Sequence, residues 1–101
     1  MNDQELLTLA AKAYGVEIWK FGKTAGGFIN NRAEAWSPLT NDGDAFRLAL
    51  KLQIKIEYVP EMNSVMCSLP GSMGATSVAA IGDVELRYAI VRAAAQKGLT
   101  L

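Results

Sequence analysis

Leu6, Leu9, Ala10, Ala13 and Tyr14 recur at helical spacing, with Leu7 beside the stripe. Asn2 stands where an N-cap belongs, and Glu5 sits three residues later in the capping-box position. Gly15 follows the stripe and suits the left-handed turn that closes a helix. The spacing predicts a helix over 3–14. From Val16 to Phe21 the pattern is β-branched and aromatic, with Val16 and Ile18 on one face and Trp19 and Phe21 on the other, which predicts a strand. The glycine-rich stretch 22–27 reads as the tip of a hairpin returning through a short strand at 27–31.

Pro38 and Asn41 then announce a second helix. Asn41 is placed as its N-cap, Asp42 and Asp44 fall in its first turn, and Ala45, Phe46, Leu48, Ala49, Leu50 and Leu52 carry it onward. Ile54, Ile56 and Tyr58 alternate with Lys55 and Glu57, which predicts a strand with one solvated face. Ser64–Leu69 returns antiparallel after a turn, and 75–81 is open between strand and irregular chain. Leu86, Ala89, Ile90, Ala93 and Ala94 predict a last helix, with Asp83 as its cap, Arg87 off its apolar stripe and Gly98 as its stop. The order is α-β-β-α-β-β-(β)-α. Hairpins separated by helices argue for an α+β domain with a mostly antiparallel sheet of four or five strands and three helices.

Composition adds mainly exclusions. The chain has 101 residues, room for a single domain spanning 1–101. Ten basic and ten acidic side chains cancel, which argues against a general nucleic-acid binder. There is no histidine, so the commonest general base and metal ligand is missing. A single cysteine builds neither an internal disulfide nor a cysteine-based zinc site, and Cys67 alternates with Val65 and Leu69 as a core residue would. No run approaches the ~20 apolar residues of a membrane helix, and acids stand where a signal peptide needs positive charge. The expectation is a soluble protein of a reducing cytoplasm.

The stretch Trp36-Ser37-Pro38-Leu39-Thr40-Asn41-Asp42-Gly43-Asp44-Ala45-Phe46-Arg47-Leu48-Ala49-Leu50-Lys51-Leu52 resembles the phage ABA sandwich domain family of bacteriophage and prophage proteins. The final helix, Arg87-Tyr88-Ala89-Ile90-Val91-Arg92-Ala93-Ala94-Ala95, and the leading helix are similar to that family as well, so the resemblance spans nearly the whole chain. It implies a three-layer α/β/α sandwich and a phage-encoded protein of the host cytoplasm. It implies no activity.

Candidate chemistry is sparse. Asp42, Asp44, Asp83 and Glu85 raise the idea of a hard-cation site, but helix-start capping explains the first three without a metal. Gly43 either lets a ligand near the backbone or marks a tight start to the helix. GKTAGG at 22–27 lacks the order of a phosphate-binding loop. No residue is assigned a catalytic, cofactor-binding or metal-ligating role. Trp36, Pro38, Asn41, Asp42, Gly43 and Asp44 are the candidate interaction residues, with Trp36 expected as a buried anchor. The expected function is a non-enzymatic binding module acting on a host protein or small ligand. The alternative is a nucleotide- or nucleic-acid-associated factor using loop 22–27 with Lys20, Lys23 and Arg32. A metal-dependent enzyme is a distant third. A homodimer, through an edge strand or the small-residue surface at Ala93–Ala95, is the expected way to bury surplus apolar surface.

Overall fold

The computed structural model describes residues 2–16, 18–21, 27–29, 34–71, 76–78 and 81–101. Helix α1 runs from Asp3 to Tyr14. The Asn2 side chain accepts from the Glu5 amide at 2.8 Å, and Gly15 closes the helix at φ 91°. Three strands follow: β1 (Ile18–Phe21), β2 (Gly27–Ile29) and β3 (Glu34–Trp36). Helix α2 covers Asp42–Leu52, and β4 (Lys55–Val59), a 3-10 turn at Pro60–Met62, β5 (Ser64–Ser68) and β6 (Thr76–Val78) come next. Helix α3 runs from Asp83 to Leu99.

The single sheet of four or five strands does not form, and the α/β/α sandwich built around it is overturned. The described strands make two separate antiparallel sheets, β1-β2-β3 and β4-β5-β6. Each strand pairs only with its neighbour in sequence, so pairing closes short loops at low entropic cost. Helix α2 lies in the chain between the two sets. The arrangement is still mixed α and β, with one strand more before α2 than the pattern predicted.

Helix α3 is the axis of the core. It lies against α1 most extensively, and against α2, β5 and β6. Contact on several sides is why its burial exceeds the predicted stripe, taking in Val91 and Ala95 besides Ala89, Ile90, Ala93 and Ala94. The alanine surface is therefore used within the chain, which removes it as a dimer contact. Gly98 does not stop the helix; it lies inside it, and Thr100 is the C-cap. Nor is Asp83 the N-cap. Gly82 holds that position without a side-chain bond, while Asp83 accepts from the adjacent Val84 amide.

Register in the second sheet sorts its faces. Ile56 pairs with Cys67 and Tyr58 with Val65, placing all four side chains on the α3 side. Val65 and Cys67 are fully buried there. The opposite face carries the exposed Lys55 and Glu57 beside the partly exposed Met66 and Ser68. The faces expected at Trp19 and Phe21, like loop 22–26, Lys23 and Arg32, lie outside the described side chains.

Candidate functional site

The Trp36–Asp44 segment is a strand end, a turn and a helix cap in succession. Trp36 is buried and stacks on Tyr14, the last residue of α1, with ring centroids 5.8 Å apart. The Lys51 ammonium lies 4.7 Å from the centre of the Tyr14 ring and donates to the Tyr14 carbonyl, so α2 also caps the end of α1. Pro38 is fully buried in the turn, where the Asn41 amide donates to the Ser37 carbonyl at 2.8 Å. Asn41 is the N-cap, accepting from the Asp44 amide at 2.9 Å. Asp44 reaches back to accept from the Ser37 amide at 2.8 Å and pairs with Arg47 at 2.6 Å. Gly43 sits where a side chain would press on the Asn41 amide group and the Arg47 guanidinium. These residues hold the start of α2; their polar groups are turned on one another.

Asp42 is the exception. Its carboxylate meets Arg87 of α3 at 2.5 Å, and Asp83 approaches the same guanidinium nitrogen at 3.6 Å. Arg87 also donates to the Leu39 carbonyl at 2.9 Å. The sequence pattern left Arg87 off the apolar stripe, yet its side chain is 12% exposed and ties the turn before α2 to α3. The signal was present in part: Asp83 and Arg87 are four residues apart, where helix side chains meet. The acidic set therefore does not converge as a cation site. Asp42 and Asp83 flank an arginine, and Asp44 faces elsewhere. No group of three potential metal ligands comes together among the described residues.

Beside this arginine lies a groove of about 310 Å³ between α2, β4 and α3. Helix α2 contributes Ala45, Phe46 and Ala49 to its wall. Ile56 of β4 and Leu86 and Ile90 of α3 complete the apolar lining, and Asp42, Asp83 and Arg87 form one end. Phe46 is 65% exposed and Ile56 37% exposed, so the lining opens to solvent. Leu50, one turn beyond Phe46, and Tyr58, two residues beyond Ile56 on the same face, extend the exposed apolar surface. Two carboxylates share one guanidinium, leaving one excess negative charge at the polar end. The strict alternation of 54–59 had revealed this face of β4, but not that α3 covers β5 and leaves β4 half-open.

The groove is apolar along its walls and charged only at the end formed by Asp42, Asp83 and Arg87. Cys67 is buried away from it, and burial pushes its thiol up to about 11, so thiolate is scarce near neutral pH. No helix among the described residues is long and apolar enough to cross a membrane. No family model matches the chain, and no curated protein or solved structure matches it either.

Proposed function

We propose that this chain is a non-enzymatic binding module, a small phage or prophage accessory protein acting in the host cytoplasm on a host protein. The carrying observation is the open apolar groove with Phe46 and Ile56 exposed in its lining and an acidic excess at its Asp42–Asp83 end. Such a groove takes the apolar side of a partner segment, with a basic side chain of that segment against the two carboxylates. An acidic end repels phosphate, so nucleic acid is a poor fit to this site. The phage origin rests on the Trp36–Leu52 motif.

The test uses two short amphipathic peptides of leucine at helical spacing, one with lysines and one with glutamates between them. Amide shifts in NMR spectra of the chain report where each lands. The basic peptide is expected to move the signals of Phe46, Ile56 and Ile90, the acidic one to bind more weakly, and Phe46→Ser to abolish the response with the melting temperature unchanged. No response in these residues at millimolar basic peptide overturns the reading.

A further inference from the structure

We propose that two copies of this chain pair antiparallel along the open edge of β4, with the two-fold axis at Ile56. The inference is independent of what occupies the groove. β4 ends its sheet: β5 lies on one side, and among the described residues no strand lies on the other. An end strand of five residues offers a row of backbone donors and acceptors ready for another strand. On one face it also carries the partly exposed Ile56 and Tyr58, which pairing would cover.

Charge chooses the partner and the register. In a symmetric antiparallel pair, opposed residues share a face, so the axis must pass through a residue that meets its own copy. With the axis at Lys55, two ammonium groups oppose one another. At Glu57, two carboxylates do. At Tyr58, Pro60 comes opposite Ile56 and brings no N–H to the ladder. With the axis at Ile56, Lys55 meets the partner's Glu57, Glu57 meets the partner's Lys55, and isoleucine meets isoleucine. Tyr58 then faces the partner's Ile54. Within one chain the Lys55 ammonium and Glu57 carboxylate already stand 4.0 Å apart on the exposed face. Pairing would make them a four-membered ring of alternating charge. The edge is thus complementary to itself in one register and repulsive in those on either side. The two sheets would join into one, and because Ile56 lines the groove, the two grooves would lie side by side across the axis.

Light scattering and sedimentation on the full chain at micromolar concentrations test this with four proteins. Wild type is expected as a dimer. Lys55→Glu and Glu57→Lys each set like charges opposite one another and should weaken association by roughly tenfold. The double variant Lys55→Glu/Glu57→Lys restores opposite charges and should return the dimer. An equimolar mixture of the two single variants should form a heterodimer, because each supplies the charges the other lacks. All substitutions are at exposed positions, and equal melting temperatures of the monomers check folding. A monomeric wild type, a dimer indifferent to both single changes, or a mixture that fails to associate overturns the proposal. Failure of the groove reading would appear instead in the peptide titration run on the monomeric Lys55→Glu variant, in which no second copy covers Ile56.

Discussion

A side chain on Gly98 would begin 2.1 Å from the carbonyl oxygen of Leu9 and 2.7 Å from its carbonyl carbon. The backbones of α3 and α1 therefore meet directly, in the most extensive contact between elements of the fold. In an exposed helix, Gly→Ala gains about 1 kcal/mol from propensity. Here the methyl group must force two helices apart, which costs about 1–3 kcal/mol or more and outweighs that gain. Gly98→Ala should thus lower the urea midpoint. A midpoint above wild type would mean that the helices are not so closely apposed.

Trp36 joins the first sheet to the end of α1 through its stack on Tyr14. Trp36→Ala is expected to destabilise the chain by ~3–5 kcal/mol, the range for deleting a buried aromatic. Trp36→Phe should cost much less, because stacking and most of the buried area survive. Chemical denaturation measures both. Equal losses would show that the contact depends on something specific to indole, and wild-type stability in Trp36→Ala would remove the anchor.

Arg87 makes bonds of two kinds. The one to the Leu39 carbonyl is shielded, whereas Asp42 and Asp83 are 79% and 78% exposed. Exposed ion pairs contribute about 0–1 kcal/mol, while a shielded bond from a charged donor contributes about 1.5–3 kcal/mol. Arg87→Ala should therefore cost about 2 kcal/mol, and Asp42→Asn well under 1 kcal/mol. A double-mutant cycle in denaturant checks the split. If Asp42→Asn were as costly as Arg87→Ala, the ion pair would be the anchor.

How far the residues foretold these contacts depended on distance along the chain. The caps at Asn2 and Asn41 were legible because each bond spans three residues and answers a need every helix start has. The alternation at 54–59 was legible for the same local reason. Gly98 was misread because glycine serves both helix termination and close backbone approach, and only the position of Leu9 decides between them. Arg87 meets Asp42 across forty-five residues, and no periodicity encodes that encounter. The division into two sheets is likewise a matter of which strands meet, whereas alternation reports only which side of a strand is apolar. For the groove, Phe46 and Ile56 were legible as apolar positions of a helix and a strand, but an apolar position carries no mark of whether a neighbour will cover it.

Asn41 and Asp44 share the cap of α2 unequally. Asn41→Ala removes one bond to the Asp44 amide and should cost about 1 kcal/mol. Asp44→Ala removes the acceptor for the Ser37 amide as well as the pair with Arg47, and Asp44 is only 13% exposed. Its loss should exceed that of Asn41→Ala, at about 2 kcal/mol. The reverse order in thermal unfolding would place the weight of the turn on Asn41 alone.

Cys67 supplies a pH dependence of stability. It is fully buried on β5 opposite Ile56, and burial raises the thiol from 9.0 to about 11. Burial disfavours thiolate in the folded chain, whereas the unfolded chain ionises near pH 9.0. The contribution to stability is complete below that value. As pH rises above it, the unfolded state loses its proton first, and stability falls until the folded thiol also ionises near pH 11. The loss over this window should reach about 2–3 kcal/mol. The comparison is with Cys67→Val, which keeps the site apolar and removes the ionisation. Wild type should lose more stability than Cys67→Val between pH 9 and 11, with the two parallel from pH 6 to 8. Parallel curves throughout would mean that the thiol reaches solvent in the folded chain, and rapid alkylation at pH 8 would report the same exposure.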